Sequence, residues 1–147
     1  MDYYLFDDNP QTKIVAIDYT EIGTTVAIKL LELQNQIKIL HWQTKSHLEH
    51  KALDKIFDLL GVHIVKWVET FMGKYGRIQL SKKGETLLLK NKRESDNSSI
   101  SYLRESINAI RSLREKYFNR SDDSELSNIF DEIFADLNRT CYLLTLC

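Results

Sequence analysis

The sequence predicts an all-α fold: one domain, residues 1–147, of four amphipathic helices with a long connection between the second and the third. Apolar residues recur at steps of three and four in four separate stretches, which is the spacing of one helix face. The 147 residues include one proline and five glycines, and this scarcity disfavours a sheet-rich fold with many turns. A chain of this length forms a single core.

The composition limits the classes of function. The chain is 28% charged and 43% hydrophobic with a net charge of −1, which is ordinary for a globular protein and gives no overall attraction to nucleic acid or anionic membranes. No apolar run approaches the roughly 18 residues of a membrane span, and the start Met1–Tyr4 lacks the basic residues of a signal peptide. Cys141 and Cys147 face different ways on one predicted helix, so we expect reduced thiols in an intracellular protein.

The chain begins with an acidic, aromatic arm, residues 1–18, which ends in a short β-branched run. The first helix is predicted from Asp18 or Thr20 to about Lys45, and the Ser46-His47 pair ends it. Its apolar row consists of Val26, Leu30, Leu33, Ile37 and Leu40.

The second helix is predicted from about Glu49 to Gly73, where two nearby glycines favour a helix end. Its apolar row consists of Leu53, Phe57, Leu60, Ile64, Val68 and Phe71. A connection, residues 74–99, follows. Its part 74–93 contains seven basic residues and one acidic residue, Glu85, for a local net charge of +6.

Two further helices complete the domain. Ser99 is the predicted N-cap of the third helix, and residues 119–123 form the turn before the fourth. The third row consists of Ile100, Leu103, Ile107, Ile110, Arg114 and Tyr117, and the fourth of Leu126, Phe130, Ile133, Leu137, Cys141 and Leu144. Short loops place each sequential pair antiparallel, whereas the long connection can run the length of the bundle and make helices two and three parallel.

The candidate functional residues lie on the first two helices. His41 falls at the edge of the first apolar row, where an imidazole requires a partner for its ring nitrogens. That partner can be a metal ion, a backbone carbonyl or water, and the residues alone leave these alternatives open. His50, Asp54 and Glu69 follow on the second helix.

The pair His41-Trp42 near the end of one helix, followed by His50 and acidic residues on the next, resembles the Dps branch of the ferritin-like superfamily. The stretches 33–45 and 73–78 are similar to a divergent subgroup of small ferritin-like proteins encoded by phages and large viruses. The resemblance implies a ferritin-like bundle with its crossover between helices two and three. It also implies two-fold dimers, a dodecameric shell, and binding of iron (Fe²⁺ and Fe³⁺) between subunits.

Four residues of this chain match iron ligands of the family: His41, His50, Asp54 and Glu69. The position fifteen residues after His50 is Val65, where the family has an aspartate. Because His50 and Glu69 are about 28 Å apart along a straight helix, they can share an ion only across a two-fold axis that pairs two second helices antiparallel.

Three functions are compatible with these observations. The first is a shell protein that binds and stores iron between subunits. Its ferroxidase centre is partly degenerate, and whether this centre also oxidises iron is left open. The alternative is a structural shell protein of a virion or nucleoid that keeps the scaffold without iron chemistry, which Val65 favours. Nucleic-acid binding is a third, and only the basic residues 74–93 would serve it.

Overall fold

The structure is a computed structural model that describes residues 2–5, 15–95 and 97–147, with side chains from Asp18 onward. It contains four helices, α1 (Tyr19–Gln43), α2 (His47–Tyr75), α3 (Ser98–Tyr117) and α4 (Ser124–Leu144). A short 3₁₀ turn, Ser121–Asp123, precedes α4. The prediction of an all-α domain built on four helices is confirmed.

A small two-stranded ribbon precedes α1. Strand β1 (Asp2–Leu5) pairs antiparallel with β2 (Val15–Asp18), so that Asp2 lies opposite Asp18 and Leu5 opposite Val15. The ribbon lies within the predicted N-terminal arm, for which the sequence indicated a β-branched run but no pairing. The arm's acidic pair, Asp7 and Asp8, lies outside the described residues.

Capping residues fix the ends of the first two helices. Asp18 is the N-cap of α1, and its Oδ1 accepts hydrogen bonds from the backbone N–H of Thr20 at 3.0 Å and of Glu21 at 3.3 Å, as expected of an N-cap carboxylate. Ser46 caps α2. α2 continues to Tyr75, two residues beyond the predicted end, and Gly76 ends it with a φ of 108° that favours glycine.

The prediction that Ser99 caps α3 is wrong. The helix begins at Ser98 with Asn97 at the N-cap position, so the connection between α2 and α3 comprises residues 76–97. The Ser99 hydroxyl donates a hydrogen bond to Oε1 of Glu49. A hydroxyl bound to a buried carboxylate makes a stronger, charge-assisted bond than a cap does, which explains why Ser99 lies inside the helix.

The four helices share one core. α1 packs against α2 and α3, and α4 packs against the same two helices. Across α2 and α4, His63 contacts Asp136 and Lys74 contacts Glu125, so this pair is antiparallel. The pair α1–α2 is antiparallel by the same reasoning, because Gln34 contacts Phe57 and His41 contacts His50. The pair α3–α4 is also antiparallel, because Arg114 contacts Asp131 and Phe118 contacts Ser127.

The connection contacts α1 at three points. The backbone N–H of Gln79 donates to Thr24 Oγ1 at 3.0 Å, near the start of α1. Further along, the Gln36 amide both donates to the carbonyl of Lys90 at 2.8 Å and accepts from its N–H at 2.7 Å. The N–H of Lys92 donates to Gln43, the last residue of α1, at 2.6 Å. These bonds hold an extended segment against one helix.

An aromatic cluster fills the centre of the core. Trp67 is completely buried, and its ring lies 5.3 Å from Phe71, 5.5 Å from Phe118 and 5.2 Å from Phe130 between centroids. Because α2 contacts both α1 and α4, it buries a wider face than a single row.

None of the helices in the described part of the chain combines the length and apolar character of a bilayer span.

A histidine clasp and the candidate metal centre

The antiparallel pairing of α1 and α2 brings two of the predicted site residues together. His41 lies in the last turn of α1 and His50 in the first turns of α2, separated by a loop of three residues, 44–46. Their imidazole rings stack with centroids 3.7 Å apart and planes inclined by 20°.

Each histidine binds the backbone of the other, and we call this pair the histidine clasp. His41 Nδ1 lies 2.7 Å from the carbonyl oxygen of His50, and His50 Nδ1 lies 2.9 Å from the carbonyl oxygen of His41. A carbonyl oxygen can only accept, so both Nδ1 atoms carry the proton. In the neutral rings Nε2 therefore has a free lone pair. Of the three partners considered for His41, a metal ion, a backbone carbonyl or water, the structure shows a backbone carbonyl at Nδ1.

Asp54 lies one helical turn after His50 and faces His41. Its Oδ1 is 3.8 Å from His41 Nε2, too far for a hydrogen bond. The same oxygen is 3.5 Å from the ammonium nitrogen of Lys38, which also lies 4.3 Å from the centre of the Phe57 ring. The clasp thus has a buried side, made by the Nδ1 bonds, and an outer side where a lone pair, a carboxylate and an ammonium meet.

The outer side of the clasp is at the surface. His41 is only 7% exposed, whereas the Asp54 side chain is 52% exposed. His50 is exposed, and Trp42, next to His41, is also exposed. Asp54 and His50 are therefore open to solvent, whereas His41 lies beneath them with little exposed surface.

The fourth predicted ligand, Glu69, is not near the other three. It lies nineteen residues beyond His50 on α2, about 28 Å along the helix axis. Glu69 and Val65 are both exposed. Within one chain the structure brings together His41, His50 and Asp54 and leaves Glu69 apart.

Among residues 15–95 and 97–147, no three His, Cys, Asp or Glu side chains are grouped so as to hold a metal ion. The stacking of His41 and His50 is one reason why these two residues and Asp54 do not form such a group. An imidazole binds a metal in the plane of its ring, and two nearly parallel rings 3.7 Å apart do not direct their lone pairs at one point. His41 and Asp54 can contact a common ion as they stand, but His50 must rotate to join them.

A buried carboxylate next to the clasp was not predicted. Glu49 is 8% exposed. Its Oε2 accepts from the hydroxyl of Thr44 at 2.9 Å, its Oε1 accepts from Ser99, and the ammonium of Lys92 is 3.9 Å away. The pattern Ser46-x-x-Glu49 is typical of a capping box, and that signal could have identified Glu49 as a structural residue of the helix end.

A third histidine joins α2 to α4. His63 Nε2 lies 2.6 Å from Asp136 Oδ2, and Nδ1 lies 3.5 Å from Glu132 Oε2. The two acidic residues are one turn apart on α4, so they present neighbouring carboxylates to one ring. His63 is remote from the candidate site and has a role in helix packing.

An ionic cluster lies at the other end of α2. The Lys74 ammonium is 2.8 Å from Glu125 and 3.0 Å from the fully buried Asp123. Partial burial alone would lower the pKa of Lys74, but hydrogen bonds with Glu125 and Asp123 outweigh it and raise this pKa above 10.5. The same hydrogen bond from Lys74 lowers the pKa of Glu125 below 4.5.

Residues 41–144 match the model of a family of unknown function (DUF5856). The matched range begins at His41 and includes His50, Asp54 and Glu69. No curated protein and no solved structure matches the chain.

Proposed function

The chain belongs to this family of unknown function, DUF5856, and we propose that it is a ferritin-like subunit that binds ferrous iron at a site shared by two copies. Iron is here the cargo or substrate of the protein. The observation that carries the proposal is the outer side of the histidine clasp, where His41 Nε2 and Asp54 Oδ1 lie 3.8 Å apart.

The helix arrangement supports a ferritin-like bundle. α2 and α3 are each antiparallel to α4, and the connection between them contacts α1 near its start, at Thr24, and at its end, at Gln43. A connection that follows α1 in this direction returns the chain to the end of the bundle where α2 began. We therefore infer a bundle with one long crossover between α2 and α3, which is the ferritin-like connectivity.

The separation of His41 and Asp54 suits two ligands of one ion. Ligands that each bind a first-row divalent metal at about 2.1 Å are roughly 3 to 4 Å apart. Histidines that bind metals commonly donate the other ring N–H to a backbone carbonyl, which fixes the ring and the tautomer. His41 has this arrangement, since its Nδ1–H is bound to His50. Imidazole and carboxylate together are a suitable ligand set for iron.

A second copy would complete the site. Two α2 helices paired antiparallel about an axis near residues 59 and 60 place His50 beside the partner's residue 69 and Asp54 beside residue 65. The exposed face of α2 supports this pairing, because Val62 is 68% exposed and Val65 is 55% exposed, and burial of apolar side chains favours association. Glu69 would then reach the ion held by the other chain.

Two features would keep iron binding weak. Val65 supplies no carboxylate, so a ferric product would retain more uncompensated positive charge. The Lys38 ammonium lies 3.5 Å from Asp54 Oδ1 and competes with a metal for this oxygen. The chemistry open to such a site is binding of Fe²⁺ and electron transfer from it to oxygen or peroxide, with no side chain acting as a nucleophile. We propose binding as the main activity and ferroxidase activity as a slow one.

A structural shell protein is the second candidate, and the clasp itself favours it. Both Nδ1–H groups are satisfied by backbone carbonyls, so the pair already joins α1 to α2 without a metal. In this alternative the exposed α2 face still assembles subunits, whereas His41 and His50 only stabilise the turn between the helices.

An anaerobic ferrous-iron titration separates the two candidates. Asp54→Asn removes the ligand charge but keeps the shape of an exposed side chain, so the fold and the oligomer should persist while iron affinity falls. Val65→Asp adds a carboxylate at the position expected to face Asp54 of the other chain and should raise affinity. If wild type and Val65→Asp both bind no iron while light scattering shows intact oligomers, the structural candidate is correct.

A further inference from the structure

A negatively charged groove lies between the outer face of α1 and the connection. Its volume is about 520 Å³, and four carboxylates line it: Asp18, Glu21, Glu32 and Glu85. Among the described residues that line it, Lys29 is the one basic residue. Lys29 and Glu32 also line a smaller groove of about 210 Å³ towards α3, where Glu105 adds another carboxylate. The surface therefore fits a cationic partner.

The charges of this groove are not neutralised within the described part of the chain. No lysine or arginine there lies within ion-pair distance of Glu21 or Glu32. Asp18 and Glu85 accept backbone N–H groups, from Thr20 at 3.0 Å and from Ser81 at 3.1 Å. These neutral donors leave the negative charge in place.

A basic turn lies at the rim of the same groove. Residues 81–84 form a β-turn in which the N–H of Gly84 donates to the carbonyl of Ser81 at 2.9 Å and the Ser81 hydroxyl donates to the carbonyl of Gly84 at 2.7 Å. Gly84 has a φ of +81°, which favours glycine. Lys82 and Lys83 occupy the two central positions of the turn and are exposed.

The turn does not fill its own groove. Ser81, the first residue of the turn, and Glu85, which follows the turn, line the groove wall, but Lys82 and Lys83 do not. Neither lysine has a carboxylate within ion-pair distance in the described residues. Residues 1–17, which precede the groove residue Asp18, are an unsuitable occupant because their three aspartates and one lysine give them the same sign of charge as the groove.

We propose that two copies of this chain exchange these turns, so that Lys82 and Lys83 of each copy enter the acidic groove of the other. The turn and the groove adjoin each other on one face, so a two-fold axis between two copies makes both contacts at once, as in an isologous interface. Leu80, which is 54% exposed and lines the groove, adds apolar contact at the edge.

The charged character of the contact between turn and groove determines how the association depends on salt. It consists mainly of exposed ion pairs, so it is weak and depends on salt, because the Debye length falls from about 10 Å at 0.1 M to about 3 Å at 1 M salt. It uses α1 and the connection, not the exposed α2 face with Val62 and Val65. The turn exchange is therefore independent of the proposed iron site, and the two associations can be measured separately.

A charge-exchange experiment tests the proposal. One variant carries Lys82→Glu and Lys83→Glu, and the other carries Glu21→Lys and Glu32→Lys. All samples, including the unaltered reference, also carry Val62→Asp, which removes the proposed α2 pairing at an exposed position. Fluorophores attached to the exposed Cys147 thiol report association by energy transfer. A matched control reverses two exposed bases elsewhere, Lys45→Glu and Arg139→Glu.

The reference and the control should associate at low salt and dissociate at 1 M salt. Each charge variant alone should lose association, and a mixture of the two should recover it, because acidic turns then meet basic grooves. Reference protein that is monomeric at low salt would overturn the proposal. Association that survives both charge reversals, or a mixture that does not recover, would also overturn it.

Discussion

His41 and His50 each donate a ring Nδ1–H to the backbone carbonyl of the other, with their rings stacked 3.7 Å apart. This reciprocal arrangement joins the end of α1 to the start of α2. It also leaves both Nε2 lone pairs free for another partner. Structural and chemical roles of the same pair can therefore be separated by substitutions that remove one nitrogen at a time.

His41→Asn and His41→Gln form such a matched pair. Asparagine can place an amide N–H near the position of Nδ1, whereas glutamine places its amide near the position of Nε2. Both variants lose ring stacking, so their difference isolates the Nδ1 bond. We expect His41→Gln to be less stable than His41→Asn by about 1 kcal/mol, the net value of one hydrogen bond, in urea unfolding. Equal stabilities would show that the clasp bond contributes nothing to the fold.

Lys38→Met should strengthen metal binding at Asp54. The Lys38 ammonium is 3.5 Å from Asp54 Oδ1, and a unit charge at about 4 Å corresponds to about 1 kcal/mol in a water-like dielectric. We expect the affinity for Fe²⁺ or Co²⁺, measured by anaerobic titration, to rise by roughly fivefold or more. Lys55→Met changes the net charge equally on an exposed residue next to Asp54, and a comparable rise there would contradict a local competition.

Gly23→Ala should destabilise the bundle although alanine favours helices. A Cβ at residue 23 would overlap the ring of Phe71, which is completely buried, so the core must shift at a cost of about 1 to 3 kcal/mol. Gly73 is the control, because a Cβ there meets no atom within 4 Å. Gly73→Ala should be neutral or stabilising by up to about 1 kcal/mol. Thermal unfolding of both variants measures the difference, and a stabilising Gly23→Ala would refute the packing of α1 on α2.

The ion pair of Lys74 and Glu125 predicts a specific pH dependence. The hydrogen bond from Lys74 holds the pKa of Glu125 below 4.5 in the folded chain. The stability that it contributes is therefore present above about pH 4.5 and is lost as the pH falls through the folded pKa. The side chain of Glu125 is 46% exposed, so solvent screening keeps this contribution small.

NMR titration of the Glu125 carboxyl is the direct measurement of this effect. The midpoint should lie below 4.5 in the wild type and move upward in Lys74→Met. A wild-type midpoint at or above 4.5 would contradict the hydrogen bond.

Much of the fold could be predicted from the sequence because the helix signals are local. The apolar rows of α1 and α4 are buried at every position, and Asp18 was one of the two starts proposed for α1. The row of α2 was less accurate. Ile56 and Trp67 are completely buried, whereas Phe57 and Val68 are only partly buried, because α2 packs against two helices and buries a wide face. Such tertiary packing has no signal in the spacing of one helix.

The candidate ligands were chosen on the resemblance to the Dps branch, and their role in metal binding stays a prediction. The structure brings His41, His50 and Asp54 together. The stacking of the two histidines could not be predicted, since it depends on the short loop that holds their backbones within reach of both rings. The acidic groove beside the basic turn also has no local signal, because Glu21, Glu32 and Glu85 meet only after the connection has folded against α1.

The most direct test of the shared iron site is a subunit-mixing experiment. His41→Asn removes the ligand nitrogen from one half of the site, and Glu69→Gln removes the carboxylate from the other half, so each variant alone should bind little Fe²⁺. In a mixed dimer one of the two sites combines an intact His41 with an intact Glu69. A randomly mixed, equimolar sample should therefore recover about one quarter of the wild-type iron sites, as two-fold symmetry requires. Glu69→Gln that binds iron like the wild type, or mixed dimers that recover no sites, would contradict a site shared between two chains.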